Sequence, residues 1–234
     1  MIRASIAMAA YNGEKYIEEQ IESILGLMGE DDELIISYEK SNDETLNLIK
    51  KYEAIDGRVH IIGDDKHSVE ANFNNAVARC KGKYIFLSDQ DDVWINDKIN
   101  VMVDYFESNK DCVVLISNGY ETDDKLNIKG ELFDLMNTSS NAIVNFVKGS
   151  YLGCQMAFRT RIREKVWPVR EQPPLPHDLW LGIQGARFGK VSLIPLKLIK
   201  HRLHNNNYSN TSKMNIINVI KNRILFGYEL VTRR

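Results

Sequence analysis

The first ninety or so residues alternate four times between a short apolar run and a segment of helical periodicity, and this most narrows the choice of fold. Residues 5–10 are small and apolar and run into the turn signal Tyr11-Asn12-Gly13. Ile17, Ile21, Ile24 and Leu25 then fall on one helical face. Residues 33–38 form a second apolar run, and Ser41 with Glu44 has the spacing of a capping box opening a helix through Leu46, Ile49 and Tyr52. A third strand is expected at 59–62, a helix at 69–80 stopped by Gly82, and a fourth strand at 84–87. Such alternation predicts an α/β fold with a parallel, doubly wound sheet. Ligands of these sheets sit beyond the C-terminal strand ends, so the turns after the strands are the place to look for chemistry.

The turn after the fourth strand is the most unusual of them. Tyr84-Ile85-Phe86-Leu87 is apolar enough to be buried on both faces, and Ser88-Asp89-Gln90-Asp91-Asp92 then sets three carboxylates within four positions. Like charges that close are costly at a buried strand end unless a cation sits among them. One reading is a grip on a divalent cation and a diphosphate, since hard cations take oxygen ligands. The other is a solvated acidic turn that starts a helix.

Beyond Trp94 the alternation loosens. A helix is expected at 97–106, a buried strand at 112–116, a polar irregular stretch at 121–141, a strand at 151–158 and a short helix at 160–166. A proline-rich loop at 168–176 leads into a helix opened by His177-Asp178, and strand-like segments flank Pro195. The 234 residues suit one compact unit, with the alternating half at 1–94, a second half at 95–212 and a C-terminal helix at 213–234. The net charge of −2 provides no basic field for nucleic acid. Cys80, Cys112 and Cys154 lack metal-ligand spacing and, with no signal peptide in view, read as reduced thiols of a cytoplasmic protein.

Six motifs in order resemble the family 2 glycosyltransferases. They are Ala9-Ala10-Tyr11-Asn12-Gly13-Glu14-Lys15-Tyr16, Glu33-Leu34-Ile35-Ile36-Ser37, Ala71-Asn72-Phe73-Asn74-Asn75-Ala76, the run from Tyr84 to Trp94, Gly153-Cys154-Gln155-Met156-Ala157-Phe158 and His177-Asp178-Leu179-Trp180. The resemblance spans roughly residues 3–208 and is strongest to the bacterial rhamnosyltransferase-like branch that builds surface polysaccharides. It implies a GT-A fold, with a Rossmann-like half fused to an acceptor-binding half. It further implies an inverting, metal-dependent transfer of sugar from a nucleoside-diphosphate sugar to a saccharide or lipid-linked saccharide. On that resemblance Ala9 and Tyr11 line the nucleotide pocket, Asn74 belongs to a substrate-binding motif, and Asp89 lies by the ribose. Asp91, with Asp89, holds Mg²⁺ or Mn²⁺, His204 either adds a ligand or touches the diphosphate or is a surface histidine of a polar tail, and Asp178 is the catalytic base. Trp94 and Trp180 either stack on sugar rings or belong to the core.

Two features depart from the family pattern. Where Asp-Asp-Gly-Ser is usual after the second strand, this chain has Tyr38-Glu39-Lys40-Ser41. Glu39 is expected to reach the base in place of Asp, whereas Lys40 cannot readily take the positive φ of glycine. An inactive nucleotide- or carbohydrate-binding homologue is therefore the alternative reading. A nucleotidyltransferase shares the layout, but only Asn12-Gly13-Glu14 stands where its Gly-rich phosphate loop belongs. The second feature is the C-terminal stripe of Ile216, Val219, Ile220, Phe226 and Leu230 with Lys213, Lys221, Arg223, Arg233 and Arg234 around it. Such a helix either lies on the inner face of an anionic membrane or packs on the domain. The abrupt end at Arg233-Arg234 reads as a truncation. Asn205, Asn206, Asn207 and Asn210 read as a lid over the donor.

Overall fold

The computed structural model describes residues 1–64, 68–171, 175–205, 207 and 216–232. The alternating half comprises β1 (Ala4–Ala10), α1 (Ile17–Leu25), β2 (Asp32–Glu39), α2 (Thr45–Ile55), β3 (Val59–Asp64), α3 (Val69–Arg79) and β4 (Tyr84–Ser88). β1 pairs in parallel with both β2 and β4, and β2 with β3. The second half adds β5 (Val93–Trp94), α4 (Lys98–Ser108), β6 (Cys112–Thr122), β7 (Ile128–Glu131), α5 (Leu132–Met136) and α6 (Ala142–Lys148). It continues with β8 (Met156–Arg159), α7 (Arg163–Val166), α8 (His177–Gly185), β9 (Lys190–Arg202) and α9 (Ile216–Thr232). The strands join one continuous sheet in the order β3-β2-β1-β4-β8-β6-β9-β5, with β7 on β6.

Two cores cover the faces of this sheet. Ile6, Met8 and Phe86 point to the side of α1 and α4, while Ala7, Ile85 and Leu87 point to the side of α3 and α8. This is the period-two alternation of a strand apolar on both faces. The second half is mixed in direction, with β8 antiparallel to β4 and to β6 and β9 parallel to β6.

Several local expectations change in the structure. Ser41 and Glu44 form no capping box: Glu44 makes no side-chain cap, Ser41 Oγ donates to Glu39 O at 2.9 Å, and Thr45 N donates to Asp43 Oδ1 at 3.1 Å. β6 runs past residue 116 to Thr122 through two register shifts, and at Gly119 an added Cβ would lie 2.5 Å from Ile199 Cγ2. The stretch 153–155 is a turn of 3₁₀ helix, so β8 begins only at Met156. Pro195 does not interrupt β9, because Ser117 pairs with Ile194 and Asn118 with Lys197, leaving the proline in the skipped stretch where no ladder donor is needed.

At the C-terminus the described end of α9 packs on the body. Phe226 is buried with its ring 5.4 Å from Trp180 and 5.8 Å from Phe146, and Arg187 Nη1 donates to Leu230 O at 2.7 Å. The side chains of Ile216, Val219, Ile220 and Lys221 lie outside the described residues, as do Asn206, Asn210, Lys213, Arg233 and Arg234. Among the described residues no helix is long and apolar enough to cross a membrane.

Candidate active site

The acidic turn between β4 and β5 is held from three sides. Gln20 Nε2 on α1 donates to Ser88 Oγ at 2.9 Å and to Asp89 O at 3.2 Å. The Gln90 amide pairs with the backbone of Tyr11, accepting from its N at 2.8 Å and donating to its O at 2.7 Å. Gly13 makes room for this clamp, since a Cβ there would lie 2.3 Å from Gln90 Oε1. β5 then pairs antiparallel with β9 at Ile199 and Lys200, which brings the end of β9 under the turn. Arg202 Nε donates to Asp91 O at 2.9 Å and its N to Asp92 Oδ1 at 3.1 Å.

The three carboxylates therefore meet different surroundings. Asp92 is fully buried with His201 Nδ1 2.9 Å away, and although burial opposes ionisation, His201 and the Arg202 amide hold its carboxyl below the usual range. Burial also opposes charge on His201, but Asp92 outweighs it and raises the imidazole to about 9. Asp91 Oδ2 lies 2.9 Å from His204 Nε2 and 3.5 Å from Asn207 Nδ2. Asp89 is pushed well above the usual carboxylate range, by burial first and then by the charges of Asp92 and Asp91. Negative charge crowded in this way fits a divalent cation, and the carboxylate oxygens of Asp91 and Asp89 suit Mn²⁺ or Mg²⁺.

The helix α8 opens with His177 and Asp178, the latter accepting from Leu179 N at 2.6 Å. Burial raises the Asp178 carboxyl, with His177 pulling the other way, and its charge in turn contributes to the raised Asp89. Both acidic groups line one cleft of about 370 Å³, together with Ala9, Tyr11 and Glu39.

The structure thus gathers Ala9, Tyr11, Glu39, Asp89, Asp91 and Asp178 into one cavity and sets His204 against Asp91. Three expected site residues are placed elsewhere. Asn74 gives its amide to Val169, donating to its O at 2.8 Å and accepting from its N at 2.8 Å, and Asn72 on the same helix lines the cleft instead. Trp94 is buried 5.8 Å from Phe86 with Lys98 Nζ 4.2 Å from its ring. Trp180 is fully buried and donates from Nε1 to Val166 O at 2.7 Å. Lys40 is absent from the positive-φ positions, so this loop follows a path that needs no glycine there. His201, Cys154, Gln90 and His177 also line the cleft and were not singled out in the sequence as ligands. The His201/His204 pair on one strand end was the signal available for the first of them.

Beneath the turn lies Lys98, fully buried, its Nζ donating to Cys154 O at 2.5 Å. Burial lowers it to about 8 against the pull of Cys154, Asp92 and Asp89. The unfolded chain keeps this proton up to the ordinary 10.5, so the folded state sheds it first and the Lys98 contribution to stability rises from about pH 8 to 10.5. Thermal unfolding of wild type and Lys98→Met is expected to show a difference in Tm that shifts in favour of wild type as pH rises through that window. A difference flat with pH would contradict the burial of a charged amine.

The profile of the family described as "Glycosyl transferase family 2" matches residues 5–167. An uncharacterized glycosyltransferase of Methanocaldococcus jannaschii, MJ1057, is 28% identical over 233 residues, covering 96% of this chain and 76% of that protein. Among solved structures, Staphylococcus aureus TarS 1–349 in complex with UDP-GlcNAc superposes with a TM-score of 0.75 at 15% identity, covering 99% of this chain and 67% of that one. The mannosyltransferase PcManGT of Pyrobaculum calidifontis, in complex with GDP-Man and Mn²⁺, does so with a TM-score of 0.64 at 13% identity, covering 98% and 70%. The order of the parallel strands, the acidic turn at the edge of β4 and the family match along most of the chain have one meaning: this GT-A protein belongs to glycosyl transferase family 2.

Proposed function

We propose that the chain transfers a sugar from a nucleoside-diphosphate sugar to a saccharide hydroxyl with inversion at the anomeric carbon, in the building of a surface polysaccharide. The observation that carries this reading is that Asp91 and Asp178 line one cleft, although 87 positions (178 − 91) separate them along the chain. The nucleotide lies along the ends of β1 and β2, by Ala9, Tyr11 and Glu39, with its diphosphate over the acidic turn. Asp91, with Asp89 and His204, would hold Mn²⁺ or Mg²⁺, which offsets the charge of the departing nucleoside diphosphate. Asp178 takes the proton of the acceptor hydroxyl as its oxygen attacks the anomeric carbon from the face opposite the diphosphate. The new C–O bond forms while the bond to the phosphate oxygen breaks. Support for a nucleotide-sugar donor comes from the similar structures, which hold UDP-GlcNAc in one case and GDP-Man with Mn²⁺ in the other.

Calorimetry against UDP-, dTDP- and GDP-sugars with and without Mn²⁺ tests the donor class, and NMR of the product tests the anomer. Binding of at least one donor that strengthens with Mn²⁺, followed by an inverted product, is expected. Donor binding with neither transfer nor hydrolysis for any sugar would favour the inactive homologue, whose motivation is Tyr38-Glu39-Lys40. Asp91→Asn is expected to weaken Mn²⁺ binding by at least about 10-fold, the loss that even an outer partner of a metal site brings. Unchanged Mn²⁺ affinity, read by calorimetry, would remove Asp91 as the ligand.

A further inference from the structure

His201 does not stand alone beside Asp92. Cys154 Sγ lies 3.8 Å from the same His201 Nδ1 that lies 2.9 Å from Asp92 Oδ1. The ligand atoms of Asp92, Cys154 and His201 all fall within 4.8 Å of one another, the one such triple among the described residues. The members come from the acidic turn, the 3₁₀ turn before β8 and the end of β9, separated by 47 and 109 positions, so no short cysteine motif announces them.

Two observations single this cluster out from ordinary packed polar groups. Asp92 Oδ2 makes no hydrogen bond of ordinary geometry, the Cys154 thiol leans on the same carboxyl, and a cation held between them would satisfy both. Cys154, although buried, and the partly exposed His201 both line the cleft, which places the cluster in its wall. The donor set also differs in kind from that of Asp91 and His204. Mg²⁺ and Mn²⁺ favour oxygen, whereas a thiolate, an imidazole nitrogen and a carboxylate together are the ligands of Zn²⁺. Tetrahedral Zn²⁺ with bonds of roughly 2.0–2.3 Å sets its donors roughly 3.3–3.8 Å apart. The separations of 2.9 and 3.8 Å need only small side-chain adjustments to meet this.

We propose that Asp92, Cys154 and His201 form a second cation site in the wall of the cleft, selective for a thiophilic divalent ion such as Zn²⁺, and that filling it arrests the enzyme. On binding, the Cys154 thiol and the His201 Nδ1 each release a proton to solvent, and thiolate and carboxylate balance the charge of the dication. Three protein ligands leave a fourth position, which faces the cleft and takes water or a phosphate oxygen of the donor. A donor held there is drawn away from Asp91. The binding half of the proposal stands on geometry, and only the arrest rests on the transferase reading.

Co²⁺ serves as the spectroscopic stand-in for Zn²⁺, added to the full chain. A thiolate-to-Co²⁺ charge-transfer band that saturates at one equivalent and is bleached by Zn²⁺ is expected. It should vanish in Cys154→Ser and in His201→Gln, the second variant guarding against a folding defect in the first, and persist in Asp91→Asn. Cys80 and Cys112 are also free, so survival of the band in Cys154→Ser would overturn the site, as would absence of any band in wild type. In transfer assays run with excess Mn²⁺, Zn²⁺ is expected to inhibit wild type, and Cys154→Ser to require about 10–100-fold more Zn²⁺ for the same inhibition. Equal sensitivity of the two would overturn the arrest. Because the absorption band is read without substrate, failure of the site and failure of the transferase reading give different results.

Discussion

Asp178→Asn is expected to lower kcat/KM by about 10²–10⁴-fold, the usual contribution of a general base, while leaving Tm and donor affinity near wild type. The amide is isosteric and its oxygen keeps the bond from Leu179 N, so the start of α8 is undisturbed. What disappears is the ability to hold the proton of the acceptor hydroxyl. The pH profile gives the same test a second axis. Burial raises the Asp178 carboxyl above its ordinary 3.8, and the base works only when ionised, so wild-type activity falls as pH drops through that raised value. Glu70 is raised to about 6, chiefly by burial and in part by the charges of Asp178 and Glu171, and with His177, Arg223 and Asp89 it shapes this limb from the surrounding elements. The residual activity of the Asn variant should lose the limb. Activity within a factor of about ten of wild type would take the base role away from Asp178.

Trp180→Ala should act on stability instead. The indole is fully buried between the sheet and α9, touches Phe226 and donates to Val166 O. Truncating a core Trp costs about 3–5 kcal/mol, and a domain of this size loses roughly 2–4 °C of Tm per kcal/mol. A fall in Tm on the order of 6–20 °C is therefore expected, with KM for the donor unchanged at temperatures where the variant is folded. Trp180→Phe keeps most of the ring and gives up the bond to Val166 O, so about 1 kcal/mol is expected. A variant that keeps its Tm but raises KM would return Trp180 to the sugar.

The contrast between these two neighbours on α8 indicates how much was legible in the sequence. Strands buried on both faces, such as β1 and β4, announce themselves by composition, and so does the acidic turn that one of them feeds. The place of Asp178 in the cleft was legible through its motif. Trp94 and Trp180 were not resolved, because an aromatic beside an acidic motif has the same appearance whether it faces a ligand or the core. Asn72 and Asn74 share one helix, and only the orientation of α3 against Val169 decides which of them meets the cleft. The length of β6 escaped notice because its second half is polar, with bulges that absorb what periodicity would otherwise reveal. His201 and Cys154 become neighbours only through long-range strand pairing, which local spacing does not encode.

The clamp between Gln90 and Tyr11, with Gln20 below and Arg202 behind, fixes the acidic turn without help from residues 38–40. The loop after β2 joins this clamp at Asn12, whose N donates to Ser41 Oγ at 2.9 Å and whose Oδ1 accepts from Asn42 N at 2.9 Å. A change at Tyr38-Glu39-Lys40 that spares Ser41 and Asn42 is therefore expected to leave Asp91 where it stands.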